Sequence, residues 1–281
     1  TDAAEVEATF QVIADKREDI LCAWLGEDPL TSKYSIVPRG NERVALLSLV
    51  YNNIIGFKDS AQTIVKSPNL LNDLKNGDRL AAWYEISYHS NSAGQHASRR
   101  YQEAELFGMW DGANPTTTEL ANFETFLNST DPYKTTESRL QYMRDYEADY
   151  PPSDAGSATI DQEINDNITI KNYFVNKYGQ GQTINGNVIL GTEMDNNVTD
   201  ANMVLTKYGI KSGYLLSTDR NDLILGQGGN DTIVGGGGND VMIGGQGFDT
   251  YQSGKGNDTI ADSDGSGMVF FNNDRIINGF G

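Results

Sequence analysis

The chain has 281 residues, with 21 Lys and Arg against 39 Asp and Glu, giving a net charge of −18. That excess argues against nucleic acid or an anionic membrane as partner, and no run approaches the roughly 18 apolar residues of a membrane span. The length favours two domains over one; a lone Cys22 excludes an intramolecular disulfide and reads as a small buried hydrophobe before a reactive thiol.

Residues 1–150 are charged, aromatic and helical in period, so this region reads as an α-helical domain. The opening Thr1-Asp-Ala-Ala-Glu5 is not a secretory signal. From Asn41, Val44, Leu47, Tyr51 and Ile54 recur at helical spacing, and Gly56 marks a stop. Asp78 suits the N-cap of a helix that carries Leu80, Trp83, Tyr84 and Ser87 on one face. A further helix starts near Ser98 with Ala97, Tyr101, Ala104 and Phe107, and Thr118–Leu127 and Glu137–Tyr146 have the same period.

Three of these segments resemble the C-terminal lobe of phage T4-type lysozymes, the muramidases of glycoside hydrolase family 24. Arg43-Val-Ala-Leu-Leu-Ser-Leu-Val-Tyr-Asn-Asn53 is similar to the family's central helix. Asn69-Leu-Leu-Asn-Asp-Leu-Lys-Asn-Gly-Asp78 is similar to its Leu-x-x-Leu-Asn-x-Gly-Asp turn, and Ser98-Arg-Arg-Tyr-Gln-Glu-Ala-Glu-Leu-Phe107 to its closing helix. The resemblance covers roughly residues 5–110 and implies contact with peptidoglycan. The family's catalytic Glu and its Thr-x-Gly-x-Gly-His-like hairpin would precede the segment that Phe10–Trp24 resembles, and this chain starts too late to hold them. Either the chain is a piece of a longer muramidase or the lobe has lost its chemistry.

Glycoside hydrolysis needs two carboxylates flanking a cleft. Glu85, Glu103 and Glu105 stand near His89 and His96, with Trp83, Tyr84 and Tyr88 as candidate sugar platforms. The alternative is helix-surface charge paired with Arg99 and Arg100, and it is the favoured one. No Ser/His/Asp set, phosphate loop or H-E-x-x-H motif is present. No catalytic residue is assigned.

Tyr150-Pro-Pro-Ser-Asp-Ala-Gly-Ser-Ala158 reads as a linker, 151–158. Residues 159–216 are rich in Asn, Thr, Ile and Val and read as a β-rich connecting and capping segment. In it Gly186-Asn-Val-Ile-Leu-Gly191 resembles a degenerate repeat, and Asp195-Asn-Asn197 reads as a turn before a set of ligands.

From Ser217 to Ala261 one nonapeptide is written five times. Asp222, Asp231, Asp240, Asp249 and Asp258 recur every nine residues, each followed two places on by Ile224, Ile233, Met242, Tyr251 or Ile260. The glycine-rich half of each repeat needs φ > 0 and must turn, while the other half suits a three-residue strand with one inward side chain. Successive repeats would then alternate between two edges. Asp222, Asp240 and Asp258 would line one edge, and Asp231 and Asp249 the other. Between Ser217 and Asp264 there are eight Asp, no Glu and only Arg220 and Lys255 as cations. Carboxylates stacked at that density require a cation, and an all-oxygen set without Cys or His selects calcium over zinc or copper, with magnesium the weaker candidate.

The pattern resembles the RTX (hemolysin-type) calcium-binding repeat, G-G-x-G-x-D-x-U-x. The resemblance implies a parallel β-roll over 217–281, hence an α + β multidomain chain, and a ligand scheme for Ca2+. One turn gives the carbonyls of its second and fourth residues and its Asp; the turn two repeats on gives its first and third carbonyls and its Asp. One site would join Gln227, Gly229 and Asp231 to Gly244, Gln246 and Asp249. A second would join Gly236, Gly238 and Asp240 to Ser253, Lys255 and Asp258. A third would join Thr218, Arg220 and Asp222 to Gly235, Gly237 and Asp240. Gly267 and Gly213 stand in the aspartate slot at the two ends, as expected of caps. The resemblance also implies secretion, by the type I route of Gram-negative bacteria, to a calcium-rich exterior. Beyond calcium, the partners implied are peptidoglycan or another surface glycan, or further copies of the chain.

Overall fold

The computed structural model describes residues 3–28, 30–58, 65–90, 94, 96–192, 197–198, 217–271 and 274–276. They fall into two compact units, Thr1–Ala113 with Tyr150–Ser157, and Asn114–Asp149 with Ala158–Gly281.

In the first unit α1 (Ala3–Leu25) packs Leu21, Trp24 and Leu25 against Leu46, Leu49 and Val50 of α2 (Asn41–Tyr51). The N-cap of α2 is Gly40, one residue before the expected Asn41. The helix also stops at Tyr51 and not at Gly56. Asn53 turns left-handed (φ 62°) and the Asn52 amide donates to the Ser48 carbonyl at 2.7 Å, a local alternative that asparagine offers. Gly56 instead opens strand β1 (Gly56–Phe57), antiparallel to β2 (Val65–Lys66). Helix α3 (Pro68–Asn76) ends at Gly77, φ 72°, and Asp78 accepts a bond from the Ala81 N–H at 3.0 Å to begin α4 (Arg79–Tyr84). A π-helical turn, Glu85–His89, follows, then α5 (Ala97–Phe107). The segments 43–53, 69–78 and 98–107 thus lie on α2, on the α3–α4 junction and on α5. Cys22 is fully buried, and burial pushes its thiol pKa up. Beside it Arg43, 3% exposed, bonds Glu18, Glu27 and the Val37 carbonyl.

The second unit opens with α6 (Thr117–Asn128), started by a capping box between Thr116 and Glu119. The hairpin β3 (Thr130–Asp131) and β4 (Lys134–Ser138) takes up the start of the helix expected at Glu137, so α7 runs Arg139–Asp149, with the Ser138 hydroxyl accepting from Gln141 N–H. Residues 160–178, expected as β-structure, are helical instead: α8 (Ile160–Asp166) and α9 (Ile168–Tyr178). Thr159 and Gln162 form a second capping box, and Asn167 caps α9 through Thr169 and Ile170 N–H. Ile160 and Ile164, then Ile170 and Phe174, give each helix a buried stripe at four-residue spacing. Local capping outweighs the β-branched composition that suggested strands.

Strand β5 (Val188–Thr192) follows, with its outer edge closed by Asn165. That side chain donates to Val188 O and accepts from Val188 N–H, at 2.9 and 2.8 Å. The remaining strands are β6 (Asn197–Val198), β7 (Leu223–Gly228), β8 (Thr232–Val234), β9 (Val241–Gln246), β10 (Asp249–Gln252), β11 (Thr259–Ala261), β12 (Gly267–Phe271) and β13 (Asp274–Ile276). They form two sheets, ordered β11-β9-β7-β5 and β13-β12-β10-β8-β6. Repeat strands pair in parallel with partners eighteen residues away, as Ile224 with Met242 and Ile233 with Tyr251. One apolar side chain per strand faces inward, so Ile189, Ile224, Ile233, Met242 and Tyr251 make a continuous core, with Ile260 and Val269 packed on it.

Both ends are atypical turns. Gly267 pairs with Asp249 on β12, and β13 then runs antiparallel. At the other end Ile189 pairs with Ile224 and Val198 with Ile233. Gly186–Gly191 is therefore a repeat in register, with Asn187 in the aspartate slot. The Gly213–Leu215 cap and residues 195–196 lie outside the described residues.

Arg144 and Asp161 join α7 to α8 through a buried two-point ion pair, at 2.8 and 2.6 Å. Asp161→Ala removes the two-point partner of a buried guanidinium and should cost about 3 kcal/mol in chemical denaturation.

Candidate metal centre

The aspartates are held by a ladder that the repeat period makes possible. Asp222 N–H donates to Asp240 Oδ1 at 2.9 Å, Asp231 N–H to Asp249 Oδ1 at 2.9 Å, and Asp240 N–H to Asp258 Oδ1 at 3.0 Å. Each bond spans eighteen residues and fixes one carboxylate oxygen. The second oxygen is thereby directed at the glycine turn. Asp222, Asp231, Asp240 and Asp249 are 0–1% exposed; Asp258 is half-buried.

Among the described residues the second oxygen of Asp240, Oδ2, is buried with no hydrogen-bond donor, while that of Asp249 is buried beside the Tyr251 hydroxyl. The Tyr251 hydroxyl, close to Asp249, is turned to Asp262 Oδ2 at 3.1 Å and accepts from Gly244 N–H at 3.0 Å. A buried carboxylate oxygen with no donor is costly in a folded protein. Asp222 differs: Asn187 N–H donates to it at 2.5 Å, Thr218 N–H at 2.6 Å, and the Thr218 hydroxyl lies 3.0 Å from both of its oxygens.

The turns place backbone oxygens around these carboxylates. A Cβ on Gly235 would stand 2.7 Å from both Asp240 Oδ2 and the Ser253 carbonyl, so these two converge. A Cβ on Gly226 would meet Asp231 Oδ2 and the Gly244 carbonyl in the same way. The carbonyls of Gln227 and Gly229 lie against Gly245 and Gly247; those of Gly236 and Gly238 lie against Gly254 and Gly256. Those of Thr218 and Arg220 lie against Gly236 and Gly238. Two of these oxygens already carry one backbone bond, from Gly237 N–H to Thr218 O and from Lys255 N–H to Gly236 O, and keep a second lone pair. Gly247 shows why glycine is needed, since at φ 120° its Cα lies directly on the Gly229 carbonyl. The side chains of Arg220, Gln246 and Lys255 are exposed and leave the turn to their backbones. Gln227, at φ 80°, is the one non-glycine residue held left-handed in the described turns.

Among the described residues no three His, Cys, Asp or Glu side chains converge as a metal cluster. A cation here would draw on carboxylates from two turns and on carbonyls, a hard-oxygen set suited to calcium.

Residues 216–251 and 243–266 match the family model of the RTX calcium-binding nonapeptide repeat. The RTX match implies calcium binding by these turns. No curated protein and no solved structure matches the chain. Among the described residues no helix is long and apolar enough to cross a membrane.

The turns share a second regular feature, legible in the sequence as a recurring asparagine. Asparagine precedes the aspartate at 221, 230, 239 and 257. Its side chain repeats the eighteen-residue bond: Asn239 N–H donates to Asn221 Oδ1 at 2.8 Å and Asn257 N–H to Asn239 Oδ1 at 2.9 Å. Phe248 interrupts the series, yet its N–H still donates to Asn230 Oδ1 at 2.8 Å.

The carboxylates singled out in the helical unit form no comparable site. Glu103, expected on the helix surface, is 5% exposed; it pairs with Arg100 at 2.7 Å and accepts from the Ser48 hydroxyl. Burial raises its pKa against both partners. Glu105 accepts from the Ser157 hydroxyl at 3.2 Å, and Arg99 donates to Asn52. Glu85 is buried on the π-helical turn. Tyr84 and Tyr88 lie in the core, 1% and 3% exposed, and Trp83 packs against it, so they are not open sugar platforms.

Burial pushes the Asp240 pKa from 3.8 to about 7, with the charges of Asp222 and Asp258 adding to it; those of Asp222, Asp249 and Asp258 are raised by burial as well. A carboxyl raised in the fold stabilises it below its unfolded pKa, and that stability is lost as pH rises through the folded value. Without calcium, lowering the pH from about 8 to about 5 should therefore increase β-structure by circular dichroism, and Asp240→Asn should shrink the response. Gly247→Ala should destabilise the calcium-loaded repeats by at least ~1 kcal/mol, read from thermal melting.

Proposed function

We propose that residues 217–281 form a β-roll closed by structural calcium, in a protein exported from a Gram-negative bacterium by the type I route. The observation that carries this reading is the buried, donor-free Oδ2 of Asp240, converging with the Ser253 carbonyl two repeats on. One ion would be held by Gln227, Gly229, Asp231, Gly244, Gln246 and Asp249. Another would be held by Gly236, Gly238, Asp240, Ser253, Lys255 and Asp258. Calcium supplies the positive charge that lets these carboxylates stay ionised out of water, so binding and folding are one event.

The helical region expected over 1–150, of which Thr1–Ala113 forms one compact unit with Tyr150–Ser157, would serve as the contact module. Its occupant would be peptidoglycan, another surface glycan or further copies of the chain. The reading gives Glu103 no catalytic part, because it is buried, pairs with Arg100 and accepts from the Ser48 hydroxyl. The lysozyme-like order of segments along α2, α3–α4 and α5 supports a second reading, a piece of a muramidase whose catalytic Glu lies upstream.

Adding calcium to chelator-treated chain should raise the β-sheet signal in circular dichroism; a flat response would remove the calcium reading. Asp240→Asn and Asp249→Asn should each raise the calcium concentration needed by about tenfold or more, the loss of roughly one charged ligand. The purified chain should leave a peptidoglycan suspension turbid, whereas clearing would decide for the muramidase.

A further inference from the structure

The turn at the N-terminal end of the stack differs from those that follow it, although its aspartate is equally buried. Asp240 receives one hydrogen bond, from Asp222 N–H. Asp222 receives the Asn187 and Thr218 N–H groups and the Thr218 hydroxyl. Position 218 corresponds to Gln227, Gly236, Gly245 and Gly254 in later turns, and no other member of that set has a hydroxyl.

A fixed positive charge is also built in. Lys171, on α9, reaches into the turn preceding β5 and donates its ammonium to the Gly186 carbonyl at 2.5 Å. Gly186 touches Asp222, since a Cβ there would overlap Asp222 Oδ1. The Lys171 charge is among the influences that draw the Asp222 pKa down against its burial. Buried Ile170 and Phe174 anchor the part of α9 that carries the lysine.

Resting on the calcium reading above, we infer that this turn is closed by Thr218 and the Lys171 ammonium in place of calcium, giving the stack a metal-independent first rung. The third site expected from the repeat pattern, joining Thr218, Arg220 and Asp222 to Gly235, Gly237 and Asp240, is then not required for folding. The helical cap α8–α9, with Asn165 on β5 and Lys171 on the turn, presents a preformed edge. The strands that depend on calcium add to that edge.

Amide hydrogen exchange of the full chain in excess chelator tests this directly. Leu223 N–H, bonded to Asn187 O at 2.8 Å, and Asn187 N–H should stay protected by about 100-fold or more. Thr250 and Thr259 N–H, bonded to Asp231 O and Asp240 O, should lose protection and regain it with calcium. Equal loss at both sets overturns the inference and leaves the calcium reading standing. No loss at Thr250 and Thr259 removes the calcium reading itself. The double variant Lys171→Met with Thr218→Val should lose the chelator-resistant protection of Leu223 and recover it when calcium is added; Lys171→Arg should keep it. Persistence of that protection in the double variant would also overturn the inference.

Discussion

The second unit depends on one constraint: an aspartate carboxylate with one oxygen committed to a backbone N–H eighteen residues away and the other buried. The first oxygen sets the spacing, because the bond from Asp222 N–H to Asp240 Oδ1 recurs at Asp231 and at Asp240. The second oxygen sets the chemistry. A carboxylate out of water must be paired, protonated or bound to a cation. Among the described residues Asp240 has no donor for Oδ2, and burial pushes its pKa from 3.8 to about 7.

Around this constraint the repeat divides its work. Every second residue after an aspartate supplies the core, which is one side chain wide and so tolerates Ile, Met or Tyr in the same slot. The asparagines on the outer side repeat the aspartate bond without charge. The glycines let one turn lie on the carbonyls of another, as Gly247 does on Gly229. So thin a core sets little apolar burial against several buried carboxylates, whose hard-oxygen surroundings suit calcium. The helical unit follows another logic. Its buried charges, Arg43 with Glu18 and Glu27 and Arg100 with Glu103, are neutralised by each other.

The stack needs ends, and the protein builds them from different materials. At one end Asn165 mimics a strand edge and α9 brings a lysine to the first turn. At the other, Gly267 takes the aspartate slot, Tyr251 and Asp262 meet through a hydroxyl, and an antiparallel strand follows. Gly267 keeps the period and was legible as a cap, whereas the contacts of Asn165 and Lys171 come from helices outside the repeat.

Residue type and spacing alone carried the repeat, its two edges, the inward residue of each strand and an oxygen set suited to calcium. Each of these follows from residue type at fixed spacing, and spacing survives in one dimension. The sequence also carried α2, α4 and α5 of the first unit to within a few residues, missing the stop at Tyr51 because the Asn52–Asn53 turn competes locally with helix. The capping box Thr159–Gln162 was legible too, but β-branched composition obscured it. Only the tertiary structure decided that Asn187 occupies an aspartate slot, because 35 residues and not eighteen separate it from Asp222. It alone showed that Glu103 is buried and that Tyr84 and Tyr88 are core. It alone separated Asp222, supplied with donors, from Asp240, which lacks them. Whether a carboxylate is satisfied depends on which atoms of distant segments lie within 3 Å, and that is a property of the packed chain.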